Sequence, residues 1–379
     1  KKGYEVTVFG PLPPADLPIT VADGVIWRHL RGLDPDRPFD HFIFHRAPAM
    51  AATCSWASRH LLSWHHDHFY SEEYWNPRLV ASTRHLYVSR WQRAALERLI
   101  KRPTAGRTIW NGIPPEQFER AERRLTSAAA GMLRNPKGVA FASMPTRGLD
   151  RLLDLWPIVL DAVPDAMLVM YYGTHTVRQL WRGPHYNVTD QIRAMERRVE
   201  ELTKIGKVAF RGRIGQDLLT EEFLQLGAMA YPTAFSEVYM IAGVRAAAAG
   251  MKVVTSDSAC LPETMPEQSY MVRRTTSPED WAGGGRERFA LRIIQAITEP
   301  ESEYDRVAAA RRVRRMCSWD KVADRVAAAF DAAESGDTAF FASDVTTTTE
   351  SIPEGPADMR IPEDPQALES LRAEPMGMQ

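Results

Sequence analysis

The sequence has no run of about 18 apolar residues, so nothing in it reads as a membrane-spanning helix. Its three cysteines, Cys54, Cys260 and Cys317, lie far apart in 379 residues and form no ligand spacing. They read as reduced structural thiols of a cytoplasmic protein. Charge of either sign is also scarce in excess, the net being −1. The chain opens without methionine or a targeting segment. Its start, "KKGYEVTVFG", reads as the end of a helix followed by the second strand of an α/β domain, so a first strand and helix are expected upstream.

The small net charge hides an asymmetry. Residues 335–379 carry nine Asp/Glu against two Arg, a net of −7 that leaves +6 on residues 1–334. The tail includes "DVTTTTESIPEGPADMRIPEDP", which has little to bury and is expected to be disordered. A body at +6 suits anionic ligands such as nucleotides. It permits nucleic acid without supporting it, and leaves peripheral membrane contact open.

What is abundant is alternation. At 44% hydrophobic and 25% charged, the chain suits two globular domains. Short apolar strands alternate with longer helical patterns, which argues for parallel sheets with crossover helices. Strands are expected at about 4–9, 41–45, 60–65, 84–89 and 107–110, then at 137–143, 166–173, 207–212, 228–233, 251–257 and 269–272. The turn-rich "NGIPPEQFER" (111–120) ends the first domain. The boundaries predicted are 1–120, 121–317, an amphipathic helix over 318–334, and the tail over 335–379.

Several segments in this order carry a resemblance. They are "SWHHDHF", "YVSRWQRA" and "NGIPPEQF" in the first domain, then "MPTRGLDRLLDLWP", "VPDAMLVMYYG", "VAFRGRIGQDLLTEEFLQLGAMAYPTAFSEVYMI" and "AAAAGMKVVTSDSACLPET" in the second. Over residues 1–333 the chain resembles the GT-B glycosyltransferases, specifically the large retaining family 4. The resemblance implies two Rossmann-like doubly wound α/β domains facing across a cleft, with the last helix crossing back to the first. It implies a UDP- or GDP-linked sugar donor held by the second domain, an unidentified acceptor held by the first, and neither metal nor cofactor.

It also implies site residues. Glu237 matches the first glutamate of the E-x7-E signature, which accepts from donor-sugar hydroxyls; an ionised carboxylate can take two at once. Arg245 stands where the second glutamate is found, and a guanidinium can only donate. The helix starting near Tyr239, Met240 and Ile241 offers free amides and a positive dipole end to a diphosphate. Arg147 matches one of two cations that grip that diphosphate, while Ala142 stands where the other should be; Arg211 and Arg213 are candidate substitutes. Glu263 matches a position near the nucleotide and could equally cap a helix. His66 and Asp67 match a histidine–aspartate pair near sugar and acceptor.

Two tempting metal motifs are rejected. His65, His66 and His68 cannot converge on one ion, because neighbours on an extended chain face opposite ways. Asp34 and Asp36 have the D-x-D form but lie in a turn-rich loop. Trp56, Trp64, Trp75 and Trp91 read as core or cleft walls. Two alternatives to transfer onto a glycan, lipid-linked sugar or protein are kept. One is a non-catalytic scaffold, which Ala142 and Arg245 favour; the other is a transferase acting on modified DNA.

Overall fold

The computed structural model describes residues 2–10, 20–34, 36–46, 54, 57–68, 83–127, 134–172 and 188–342. Most of the expected acidic tail, with Trp56 and Trp75, lies outside them. The chain divides into two compact units, one of residues 1–87, 93–108 and 323–379, the other of 88–92 and 109–322. Residues 109–120, read from the sequence as the end of the first domain, thus fall in the second unit.

The first unit holds two sheets. In one, β1 (Val6–Gly10) pairs parallel with β3 (Val25–His29), which pairs antiparallel with β2 (Thr20–Ala22). The β2–β3 turn is Asp23-Gly24 with φ of 52° and 76°, the two positive values that a tight hairpin turn demands. The sequence reading placed no strands there. The other sheet is fully parallel, in the order β4 (His41–His45), β5 (His60–His65), β6 (Arg84–Tyr87), β7 (Gly106–Thr108). Leu62 and Leu86 lie fully buried along it, as expected where crossovers cover a parallel sheet. Helix α1 (Arg90–Leu99) follows β6. Its start is capped by side chains: Ser89 Oγ accepts from the Gln92 amide at 3.1 Å, and Gln92 Oε1 accepts from the Val88 amide at 3.0 Å.

The second unit is one six-stranded parallel sheet. Its strands are β8 (Asn135–Phe141), β9 (Met167–Tyr171), β10 (Val208–Gly212), β11 (Leu226–Tyr231), β12 (Lys252–Ser256) and β13 (Tyr270–Val272). Their order is β10-β9-β8-β11-β12-β13, so the direction of winding reverses between β8 and β11. Helices α2 (Pro115–Ser127), α3 (Leu149–Ala162), α4 (Val188–Lys204), α5 (Gln216–Leu224), α6 (Ile241–Ala248), α7 (Leu261–Thr264), α8 (Arg286–Thr298) and α9 (Glu303–Met316) complete it. In α3, Leu152, Leu155, Trp156 and Val159 are fully buried at the spacing of one helix face. No described helix is long and apolar enough to cross a membrane.

Helix α10 (Trp319–Ser335) starts in the second unit and belongs to the first from Ala323 on. There Phe330 stacks on His41 with ring centroids 4.1 Å apart, and Glu334 meets His41 Nε2 at 2.8 Å. Within the span that the sequence reading assigned to the tail, Thr338–Ala342 forms a short helix, α11. Phe341 of α11 is buried, and Phe340 accepts from Arg107 of β7 at 3.1 Å through its carbonyl.

Candidate functional site

In a doubly wound sheet the crevice opens outside the carboxyl ends of the strands where the order reverses. Here that place is set by the loops after β8 and β11, and Arg147 and Glu237 occupy them. Arg147 ends a 3-10 turn at Pro145–Arg147. Its Nη1 donates to Glu237 Oε1 at 3.1 Å, and its guanidinium lies 4.0 Å over the Phe235 ring. Tyr231, the last residue of β11, donates its phenol to the same Oε1 at 2.5 Å. Burial, and then the Glu237 charge, push that phenol far above its ordinary pKa, so it stays a donor.

The approach of the two loops needs Gly148. Its φ is 108°, and a Cβ there would come within 2.7 Å of the Pro232 carbonyl oxygen. The Glu237 loop is braced from three sides. Ser256 Oγ donates to the Thr233 carbonyl at 2.9 Å, Arg274 Nη2 to the Ala234 carbonyl at 2.8 Å, and the Cys260 amide to the Glu237 carbonyl at 3.3 Å. Glu237 is only 6% exposed. Its second oxygen, Oε2, accepts from no described group and is not sealed from solvent.

Helix α6 leads away from this loop. Its N-cap, Met240, gives no side-chain cap, so the first-turn amides from Ile241 onward lack one. Met240 and Tyr239 are buried, with Tyr239 donating to the Asn111 carbonyl at 3.1 Å, while Ile241 is exposed. Arg245, one turn further, is 9% exposed and built into packing. Its Nη2 donates to Gln117 Oε1 at 2.8 Å and Thr220 Oγ1 at 2.7 Å, tying α6 to α2 and α5. Burial lowers its pKa from the usual guanidinium value.

Other expected residues also have partners. Glu263, in α7, is taken up inside the second unit: its carboxylate accepts from the Arg90 amide at 2.9 Å, the Trp91 amide at 3.2 Å and the Trp110 indole at 3.2 Å. Of the two candidate substitutes at Ala142, Arg211 is paired with Glu222, Nε to Oε1 at 2.9 Å. Asp34 accepts from the Asp36 amide at 3.0 Å, a local turn.

In the first unit, His66 and Asp67 follow β5. Asp67 is held on both oxygens by Arg46 from the end of β4, at 2.6 and 2.5 Å. The His66 ring lies 4.5 Å from His45 and 5.1 Å from Trp64. Burial, then His45 and Arg46, lower its pKa to about 4, so it is neutral at pH 7. Its Nε2 is buried and has no partner among the described residues. His65 instead points into a buried pair with His85. Among the described residues no three His, Cys, Asp or Glu side chains gather as a metal site.

The sequence reading did not single out Tyr231, Phe235, Gly148 or Arg46. One signal was available: each lies at the carboxyl end of a parallel strand or in the segment that follows it, where such sheets place their ligands.

No protein-family model matches the chain, and no curated protein matches it either. Solved structures do. An α,α-trehalose 6-phosphate synthase from Burkholderia multivorans superposes with a TM-score of 0.61 at 12% identity, over 84% of this chain and 88% of that one. A sucrose-phosphate synthase from Thermosynechococcus elongatus gives 0.56 at 15% identity, over 88% and 90%. Anabaena HepE, solved in complex with UDP and glucose, gives 0.55 at 14% identity, over 78% of each chain. The six-stranded sheet with its 3-2-1-4-5-6 order, the second parallel sheet and these superpositions agree: the chain has the GT-B fold, that of glycosyltransferases.

Proposed function

We propose that this chain is a retaining, nucleotide-sugar-dependent glycosyltransferase of family 4, acting in the cytoplasm without metal or cofactor. The observation that carries the reading is the Arg147–Glu237 pair at the switch point of the second unit's sheet, beside the uncapped first turn of α6. The α6 amides and Arg147 bind the diphosphate of a UDP- or GDP-linked donor, where dipole and charge both favour an anion. Glu237 orients the sugar through Oε2. The acceptor is a glycan, lipid-linked sugar or protein and is bound by the first unit, near His66 and Asp67.

In the reaction the acceptor hydroxyl oxygen bonds to the anomeric carbon while the bond from that carbon to the diphosphate oxygen breaks. Arg147 and the α6 amides stabilise the charge that develops on the leaving diphosphate. The acceptor proton passes to a diphosphate oxygen, and no protein nucleophile is assigned. Fold likeness to enzymes named for UDP-linked or phosphorylated-sugar chemistry supports this reading by analogy. The test is a panel of nucleotide sugars with mixed sugar acceptors, followed by NMR of the product's anomeric configuration. Glu237→Gln is expected to lower transfer at least tenfold. An inverted product removes the retaining mode.

One observation favours a second reading, a nucleotide-binding protein without transfer. Arg245 fills a position expected to carry a carboxylate and is built into helix packing. Nucleotide binding with neither transfer nor donor hydrolysis selects that reading.

A further inference from the structure

Glu237 and Arg147 each lean on an aromatic residue that has no part in the reading above. Tyr231 donates to Glu237 Oε1, the oxygen that Arg147 also holds, which leaves Oε2 as the one oxygen open to a ligand. The Tyr231 ring is itself immobilised, fully buried and 6.2 Å from Phe141. Phe235 lies under the guanidinium at 4.0 Å and fixes the plane in which its remaining N–H groups point. Oε1 therefore has two fixed donors, one of them charged, and a carboxylate so held cannot rotate without breaking both.

We propose that Tyr231 and Phe235 are separate positioning residues, Tyr231 for recognition of the sugar by Glu237 and Phe235 for recognition of the diphosphate by Arg147. The inference rests on the donor-site reading above. It deepens that reading in one respect: the sugar is recognised through a single carboxylate oxygen, Oε2.

The two roles separate in binding. Wild type, Tyr231→Phe, Phe235→Leu and, as a control, Tyr171→Phe are titrated calorimetrically with UDP, GDP and ADP and with the glucose conjugate of each. Tyr171 is a buried phenol at the end of β9, two strands from β11 in the same sheet. In Tyr231→Phe the preference for conjugate over bare diphosphate is expected to fall at least fivefold, with bare diphosphate affinity kept within twofold. In Phe235→Leu, a loop variant that leaves the buried strand intact, bare affinity is expected to fall at least threefold with the preference kept. Tyr171→Phe is expected to change neither.

A Tyr231→Phe protein that keeps its preference, or loses both affinities equally, overturns the Tyr231 assignment. A Phe235→Leu protein with wild-type bare affinity overturns the Phe235 assignment, whatever the stability of Tyr231→Phe. Wild type that binds no nucleotide, or shows no preference for conjugates, overturns the donor-site reading itself.

Discussion

His65 and His85 face each other across adjacent strands of the first unit, Nε2 to Nδ1 at 3.0 Å, with both rings buried. One ring must donate and the other accept, so at least one of the two must stay neutral, and two charged rings could not pair. Tyr87 stacks on His65 at 5.2 Å, and Thr83 Oγ1 stands 3.5 Å from the far nitrogen of His85. Burial, then His85 and His66, hold His65 well below its ordinary pKa.

Acid should therefore weaken the first unit. A histidine whose folded pKa is depressed stays neutral in the native state while the unfolded chain takes up protons below about pH 6.5. Its contribution is present above pH 6.5 and is lost as pH falls toward the folded value. For His66, at about 4, going from pH 7 to 5 costs roughly 2 kcal/mol, and His65 adds to it. Melting curves from pH 7.5 to 5 should show the drop, and His66→Gln should reduce it. An unchanged midpoint removes the buried-histidine account.

Arg245→Glu should destabilise the protein. The substitution places a carboxylate against the Gln117 and Thr220 oxygens, near Asp217, in a site now held by a donor. A loss of about 2–3 kcal/mol is expected, the range for charged hydrogen bonds in buried settings. Urea unfolding at neutral pH measures it, and an equal midpoint denies the strut role.

Ala259→Gly should do the reverse. Ala259 has φ of 53°, a left-handed conformation that disfavours a side chain, in the loop between β12 and α7. Relief of that strain should raise stability by about 1 kcal/mol. No gain in the urea midpoint would mean the loop is not strained.

Gly148→Ala should damage both stability and ligand binding. The added methyl meets the Pro232 carbonyl, so the loops carrying Arg147 and Glu237 must separate. Nucleotide affinity should fall about tenfold, equal to about 1.4 kcal/mol. Calorimetric titration checks this. Unaltered affinity would show that the loop approach does not matter for the ligand.

The fold was legible because periodicity is a whole-chain signal. The eleven strands expected from apolar runs all have counterparts, and the alternation with helices gives the parallel sheets. The β2–β3 hairpin went unread although Asp23-Gly24 is a strong turn signal, since its strands are only three and five residues long. The candidate site was less legible. Glu237 and Arg147 are far apart in sequence and meet only through the switch point. No spacing could show that Arg245 would be taken up by Gln117 and Thr220, Asp67 by Arg46, or Glu263 by the start of α1. Each of those pairings joins residues from different elements, and local pattern carries no record of them.

The second unit is nearly continuous in sequence, whereas the first is closed by residues that come after it. Domains tend to fold as they leave the ribosome. For this chain the order inverts: residues 109–322 can complete their sheet while the earlier β4–β7 sheet still waits for Phe330, Glu334 and Phe341. Until α10 and α11 emerge, His41 lacks its stacking partner Phe330 and Arg107 of β7 lacks the Phe340 carbonyl. The unit that begins the chain is then expected to be the last to mature.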